Sequence, residues 1–138
     1  METMRPDVVE LLSDHGIRPS AQRVAVAQYI LLTDEHPSAD KVWARVRSRF
    51  PMISRATVYN TLNLFVEKGL VRELHLAPDS VVFDPKVDRH HHLIDEDSGR
   101  IYDVPWEDVK VSRMTGMKGF DSSDYQVVMR GRRKHRRA

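Results

Sequence analysis

Hydrophobic residues along the first half of the chain recur at the spacing of one buried helix face, three or four positions apart. The segments with this spacing are residues 5–15, 20–33, 38–50 and 54–68. A serine opens each of the last three, where its hydroxyl can accept hydrogen bonds from the free amides of a first turn. Gly16 and Gly69 follow the first and fourth segments, as glycine often does at helix ends. The pattern therefore predicts four helices.

After Gly69 the pattern changes to short runs of β-branched and aromatic residues separated by turn residues. The predicted strands are 70–76, 80–84, 90–94, 100–104 and 124–129, with one short helix over 106–114. The first two strands flank a loop over 77–79, and the next two flank a turn over 95–99. Each of these pairs is predicted to form a β-hairpin.

Helices followed by a two-stranded hairpin are typical of a winged helix, a variant of the helix-turn-helix. We therefore predict an α+β protein with a winged-helix DNA-binding domain and a small C-terminal α/β dimerisation domain. The predicted boundaries are 1–84 for the DNA-binding domain, 85–89 for a hinge, 90–129 for the dimerisation domain and 130–138 for a basic tail. The second domain is too short to bury a good core alone, so a homodimer is expected.

Composition excludes several classes of protein. The chain has 138 residues and no cysteine, which excludes disulfides, zinc-thiolate sites and thiol catalysis. It has no apolar run near the ~20 residues that span a bilayer and no signal-peptide pattern, so we expect a cytoplasmic protein without membrane association.

Charge is unevenly distributed along the chain. Residues 130–138 hold 6 of the 22 Lys and Arg residues and no acid, which leaves 16 basic against 20 acidic groups elsewhere. Such a tail is either a solvated end or a segment that contacts a polyanion.

Residues 54–63 have the composition of a DNA-reading helix. Thr57 is small enough for close approach to the major groove, and Asn60 can form two hydrogen bonds with adenine. Arg55 could contact guanine or phosphate, and Tyr59 a thymine methyl group or a sugar. The predicted DNA contacts, including two arginines near the start of the second helix, are Arg18, Arg23, Arg55, Thr57, Tyr59 and Asn60. The alternative is an ordinary amphipathic helix, and the hairpin that follows favours DNA binding.

Three consecutive histidines open the predicted third strand. His90 and His92 share one face of a strand and His91 points the other way. Asp103 lies on the next strand, and Asp84 precedes the hinge. Imidazoles and carboxylates without thiolates suit Fe²⁺, Mn²⁺ and Zn²⁺. The alternative is a solvated histidine run at a sheet edge; His36, taken alone, is typical of a surface loop.

Together these motifs resemble the ferric uptake regulator family over nearly the whole chain. The matching stretches are Arg18-Pro-Ser-Ala-Gln-Arg23, His36-Pro-Ser-Ala-Asp40, Ser54-Arg-Ala-Thr-Val-Tyr-Asn-Thr-Leu62, Gly69-Leu-Val, Phe83-Asp84, His90-His-His92 and Gly99-Arg-Ile-Tyr-Asp103. The resemblance implies a homodimeric, metal-dependent transcriptional regulator, usually a repressor, that binds a pseudo-palindromic double-stranded DNA operator and is not an enzyme.

Within the family, the motifs are most similar to the peroxide-responsive (PerR) branch. By resemblance, the ligands of the regulatory metal are His36, Asp84, His90, His92 and Asp103. Aspartate at position 103 favours this branch, because iron-sensing members tend to carry glutamate there. The expected ion is Fe²⁺ or Mn²⁺, and Zn²⁺ could occupy the same site. With Fe²⁺ bound, the resemblance implies that peroxide oxidises His36 or His90 and thereby releases metal and DNA.

The chain departs from the family pattern at the structural zinc site. Asp95 and Ser98 stand where the first C-x-x-C pair is expected, and the second pair is absent. We therefore expect no structural zinc and another means of stabilising the dimer.

Three rival hypotheses remain open. One is an iron- or haem-responsive (Irr-like) member of the same family. Another is a small non-haem iron enzyme, which is disfavoured because five ligands would nearly saturate the ion. The third is a winged-helix protein that needs no metal.

Overall fold

Four α-helices and five β-strands form the part of the chain that the computed structural model describes, residues 7–77, 80–112, 118–120 and 124–134. The helices are α1 (Val8–Asp14), α2 (Ala21–Ile30), α3 (Ala39–Val46) and α4 (Arg55–Glu67). The strands are β1 (Arg72–Ala77), β2 (Ser80–Asp84), β3 (His90–Asp95), β4 (Ile101–Pro105) and β5 (Val128–Gly131). The chain divides into two compact units, the first ending at Val87 and the second beginning at Asp88. The predicted α+β class is confirmed.

Side-chain caps fix the starts of the helices in the first unit. The hydroxyls of Ser20, Ser38 and Ser54 each accept a hydrogen bond from the backbone amide three residues later, at 3.1–3.2 Å. These three predicted caps are confirmed. Asp7 caps α1 by accepting the Val9 amide at 3.0 Å, a cap that the sequence analysis did not identify. Residues 5–6, the predicted start of this helix, lie outside the described residues.

The core of the first unit is formed by the apolar faces of all four helices, closed on one side by the hairpin. Its fully buried members include Leu12, Val26, Ile30, Val42, Val58, Leu62 and Phe65. Phe83 of β2 belongs to the same cluster. The hairpin is therefore part of the packed domain, as expected for a winged helix.

One backbone hydrogen bond joins the hairpin to the loop before α3. The Phe83 N–H donates to the Pro37 carbonyl at 2.9 Å. β1 and β2 pair antiparallel, with a bulge between His75 and Ala77. Two residues of the predicted hairpin loop, 78–79, lie outside the described part of the chain. β2 therefore ends beside the loop that precedes α3.

The second unit is a three-stranded sheet in the order β4-β3-β5. β3 and β4 are antiparallel, with His92 opposite Asp103, and β3 and β5 are parallel, with His92 opposite Val128. The central strand therefore carries the histidine run.

Two predicted elements of the second unit are wrong. The helix expected over 106–114 is one turn of 3₁₀ helix, Trp106–Asp108, followed by an extended Val109; residues 113–117 lie outside the described residues. Trp106, which begins this segment, stacks on His91 of β3, and this contact with the sheet outweighs a weak local helical pattern. The strand expected over 124–129 begins only at Val128. The Val127 N–H donates to the His91 side chain instead of to a backbone carbonyl of β3, although the Val127 carbonyl accepts the His92 N–H at 3.1 Å.

The described start of the predicted basic tail contacts its own unit. β5 includes the first two residues of the predicted tail. Arg132 forms an ion pair with Asp97 at 3.5 Å, and Arg133 donates to the Tyr102 hydroxyl at 2.8 Å. Residues 135–138 lie outside the described residues. No helix in the described part of the chain is long and apolar enough to cross a membrane.

Asp95 closes the turn between β3 and β4. Its carboxylate accepts the Asp97 N–H at 2.9 Å, and its carbonyl accepts the Gly99 N–H at 2.7 Å. The bond from the Asp97 amide, and then that from the Ser98 hydroxyl, lower the pKa of the Asp95 carboxyl, because they stabilise its charged form. Side-chain and backbone hydrogen bonds thus stabilise this turn, in which Asp95 and Ser98 stand in place of the first expected cysteine pair.

The Leu62→Ala substitution should lower the free energy of unfolding by about 2–5 kcal/mol, because it leaves a cavity at a fully buried position. Leu32→Ala is the matched control, since Leu32 is 52% exposed and its loss should cost at most about 0.5 kcal/mol. Urea unfolding followed by circular dichroism measures both. Equal losses would contradict the assignment of α4 to the core.

Asp95→Asn should lower the melting temperature at neutral pH, because an amide oxygen accepts hydrogen bonds less strongly than a carboxylate. The folded pKa lies below the unfolded value of about 3.9, so this contribution is present above that value and is lost as the pH falls through the folded pKa. The difference in melting temperature between wild type and variant should therefore become smaller as the pH is lowered from about 5 to about 2. Calorimetry across that range tests this, and a constant difference would contradict it.

Candidate metal centre and DNA-contacting surface

The first unit brings His36 and Asp84 together. The His36 Nε2 lies 3.2 Å from the Asp84 Oδ2, and both side chains are buried. His36 has φ of 53°, a left-handed conformation that no other non-glycine residue adopts in the described part of the chain. Such a conformation costs on the order of 1–3 kcal/mol and is found most often at functional sites. The strained backbone therefore marks this pair as a candidate ligand site.

Contacts on both sides of His36 hold its loop in place. The Phe83 N–H donates to the Pro37 carbonyl. Pro37 directly follows His36, and Phe83 directly precedes Asp84 in β2. Glu35 forms an ion pair with Lys41 of α3, and this ammonium group lowers the pKa of the Glu35 carboxyl. The pair is therefore positioned by its neighbours along the chain.

The second unit brings His90, His92 and Asp103 together. The Asp103 Oδ1 lies 3.3 Å from the His90 Nε2 and 3.6 Å from the His92 Nε2. Both imidazoles are almost fully buried, whereas the Asp103 side chain is 31% exposed. The cross-strand pairing of His92 with Asp103 places the carboxylate on the same face as the two histidines.

Hydrogen bonds at the other ring nitrogens select the tautomer of these two histidines. The His90 Nδ1 lies 2.6 Å from the Asp88 carbonyl oxygen, and the His92 Nδ1 lies 3.1 Å from the Gln126 Oε1. Both oxygens accept, so each Nδ1 carries a proton, and each Nε2 faces Asp103. Metal-binding histidines commonly have this arrangement. Neither acceptor could be predicted: that of His90 is a backbone carbonyl, which has no sequence signal, and no local pattern connects residue 126 with β3.

His91 has the opposite environment. Its ring stacks on Trp106, with centroids 4.5 Å apart and an interplanar angle of 16°. Its Nδ1 accepts the Val127 N–H at 2.9 Å, so the neutral ring carries its proton on Nε2. The predicted alternation is confirmed, since His91 packs among aromatic rings while His90 and His92 face Asp103.

The donor sets fit a divalent metal ion. Imidazole Nε2 atoms that lie 3.2–3.6 Å from carboxylate oxygens could, once unprotonated, bind a cation together with those oxygens. Ligand atoms at about 2.0–2.2 Å from an ion are separated from each other by about 3–3.5 Å, close to the separations within each unit. Nitrogen and oxygen donors without sulfur suit Fe²⁺, Mn²⁺ and Zn²⁺.

Predicted DNA contacts lie on two flanks of α4. One flank is a concave surface between α4 and the start of α2, lined by Arg18, Arg23, Thr57 and Asn60. The Arg23 guanidinium donates to the Arg18 carbonyl at 2.8 Å, which orients it along this surface. Four of the six predicted contacts therefore share one polar concavity.

The other flank carries Arg55 and Tyr59, and both bind Asp40. The Arg55 guanidinium lies 2.8 Å from the Asp40 Oδ1, and the Tyr59 hydroxyl donates to the same oxygen at 3.0 Å. This hydrogen bond raises the pKa of the Tyr59 hydroxyl. Asp40 closes a quoted motif, but its contact with Tyr59 could not be predicted, because only the packing of α3 against α4 brings the two together.

The chain is similar in sequence and in fold to ferric uptake regulators and peroxide regulators. The model of the ferric uptake regulator family matches residues 14–130. The peroxide operon regulator of Bacillus subtilis is 35% identical over 127 residues, 91% of this chain and 88% of that protein. The structure of the Campylobacter jejuni peroxide stress regulator is 25% identical with a TM-score of 0.62, covering 96% of this chain and 98% of the other. The Vibrio cholerae ferric uptake regulator has the same fold, with a TM-score of 0.68 at 20% identity, covering 91% of this chain and 99% of the other.

His90→Ala should weaken Mn²⁺ binding more than about tenfold, because it removes a buried donor whose Nδ1 is already positioned. His91→Phe is the neighbouring control, since phenylalanine keeps the ring stacked on Trp106 and His91 faces away from Asp103. Calorimetric titration with Mn²⁺ measures both affinities, and circular dichroism verifies folding. Wild-type affinity in folded His90→Ala, or an equal loss in folded His91→Phe, would refute this ligand assignment.

Proposed function

Because this chain belongs to the ferric uptake regulator family, we propose that it is a cytoplasmic, metal-dependent DNA-binding repressor that senses hydrogen peroxide. The structural observation that carries the proposal is the pair of buried imidazoles whose Nδ1 atoms are held by acceptors and whose Nε2 atoms face one carboxylate. The similarity to a peroxide operon regulator over most of both chains favours peroxide as the signal.

We propose that His36, Asp84, His90, His92 and Asp103 are ligands of one regulatory ion, Fe²⁺ or Mn²⁺, with Zn²⁺ able to occupy the same site. Two of these ligands belong to the first unit and three to the second. A shared ion would therefore restrict how the two units move. In a homodimer, this would set the distance between the two DNA-reading helices, which must match the half-sites of the operator.

Bound Fe²⁺ would supply the redox chemistry that cleaves the O–O bond of hydrogen peroxide, which Mn²⁺ supports poorly. By family resemblance, one peroxide oxygen would be inserted into a ring C–H bond of His36 or His90, and the other would leave as water. Both rings are buried, which would limit competing reactions with water. An oxidised ring is a poorer ligand, so metal and then DNA are released.

The proposed DNA partner is a double-stranded, pseudo-palindromic operator, because a two-fold homodimer presents two identical reading helices. The first flank of α4 supplies Asn60 for bases and Arg18 and Arg23 for phosphates. The second flank supplies Arg55 and Tyr59. Thr57, on the first flank and in the N-terminal turn of α4, allows close approach to the groove.

No structural zinc is proposed for this chain. Asp95 and Ser98, which stand where the first cysteine pair is expected, bond instead to the turn: the Asp95 carboxylate accepts the Asp97 amide and the Ser98 hydroxyl accepts the Arg100 amide at 3.1 Å. The contacts of Arg132 and Arg133 add to this support from the C-terminal side.

A brief peroxide pulse should add one oxygen atom to peptides that contain His36 or His90, and only when the protein is loaded with Fe²⁺. Peptide mass spectrometry would compare Fe²⁺-loaded, Mn²⁺-loaded and metal-free protein. Exposed Met52 serves as an internal control, because direct oxidation by peroxide should not depend on the bound metal.

Two results would count against peroxide sensing at this site. Unmodified histidines despite measured Fe²⁺ binding would favour an iron- or haem-responsive regulator instead. Equal histidine oxidation in all three samples would mean that the reaction does not depend on the proposed ion.

A further inference from the structure

Two of the six proposed DNA-contacting side chains meet at one carboxylate oxygen. The Asp40 Oδ1 accepts the Tyr59 hydroxyl at 3.0 Å and pairs with the Arg55 guanidinium at 2.8 Å. Asp40 lies in the first turn of α3, which the Ser38 hydroxyl fixes by accepting the Lys41 amide. An anchored acceptor therefore restricts the rotamers of two side chains on the neighbouring helix.

The exposure of this cluster argues against a role in stability alone. The side chains of Asp40 and Arg55 are 56% and 59% exposed, and ion pairs this exposed contribute little to the free energy of folding. A carboxylate on a surface that faces DNA phosphates also repels them. Asp40 therefore weakens the sequence-independent attraction to DNA and cancels much of the charge of Arg55.

The same contacts favour one particular DNA sequence. Tyr59 and Arg55 lose less rotational freedom on binding if they are already oriented, so contacts that require this orientation become stronger. A protein discriminates between DNA sequences by binding the correct one more tightly, by binding all others more weakly, or by both. Asp40 does both: it orients Tyr59 and Arg55 for the correct sequence, and its charge repels the phosphates of any DNA.

We infer that Asp40 is a specificity-determining, positioning residue of the DNA-contacting surface, which orients Tyr59 and Arg55 for the operator and disfavours other DNA. This inference rests on the proposed DNA-binding function and assigns a role to Asp40, which closes the His36-Pro-Ser-Ala-Asp40 motif but is not among the predicted DNA contacts. The rival explanation is that Asp40 serves only the N-terminus of α3, where a negative charge is favourable.

The test uses the full chain loaded with Mn²⁺ and two DNA duplexes. The first is selected by the wild-type protein from a randomised duplex pool, and the second is a scrambled duplex of the same composition. Fluorescence anisotropy gives both dissociation constants at one salt concentration. In Asp40→Asn we expect about threefold or more tighter binding to the scrambled duplex and no gain on the selected one. The ratio of the two affinities should therefore fall about threefold or more.

Glu67→Gln is the matched control, because it also removes one exposed carboxylate but lies at the far end of α4. Its affinity ratio should stay within about twofold of the wild-type ratio, since charge alone acts on both duplexes. An equal change on both duplexes in folded Asp40→Asn would overturn the inference and favour the purely structural role. A wild-type protein that selects no sequence would overturn the proposed DNA-binding function itself.

Tyr59→Phe distinguishes positioning from a general effect of charge, because it removes only the hydroxyl that Asp40 holds. In this background, Asp40→Asn should reduce the affinity ratio less than it does in the wild-type protein, since one hydrogen bond is already lost. Fully additive effects of the two substitutions would overturn the positioning role.

Discussion

The hydrogen bond from the Phe83 N–H to the Pro37 carbonyl connects the hairpin of the first unit to the loop before α3. It brings the end of β2 beside the loop, so that Asp84 reaches His36. Pro37 is also followed directly by the Ser38 cap that begins α3. The same short segment therefore places the candidate ligands of the first unit and, through Asp40, two side chains of α4. The packing of the hydrophobic core, which includes Phe83, provides the stability that keeps this hydrogen bond in place.

In the second unit, the two-residue period of a β-strand separates two kinds of chemistry. The face with His90 and His92 is polar and presents Nε2 atoms to Asp103, whereas the face with His91 is aromatic and packs on Trp106. Acceptors outside the strand fix the ring tautomers, and the acceptor of His92 comes from a residue near β5. A slip of one residue in the pairing of β3 would exchange the two faces and remove the candidate site.

The sequence was most informative where structure depends on nearby residues. Serine caps, helix periodicity and the alternation of the three histidines all follow from neighbours within a few positions, and each was predicted. Asp40 and Gln126 could not be found in this way, because their contacts join residues 19 and 34 positions apart and depend on helix packing and a parallel strand pair. The prediction of a short helix over 106–114 was wrong, because the local helical pattern is weak and Trp106 instead stacks on His91. The metal ligands and DNA contacts remain proposals, supported by geometry and by family resemblance.

The stack of Trp106 on His91 has an optical consequence. The chain contains two tryptophans, Trp43 in α3 of the first unit and Trp106 in the second. Trp106 lies against an imidazole whose neighbours along β3 are candidate ligands, whereas Trp43 lies within 5.4 Å of the Arg55 guanidinium. Each unit thus carries one intrinsic fluorophore next to its own candidate surface. Emission from single-tryptophan forms of the protein would follow metal uptake and DNA contact as two separate signals, without an attached dye.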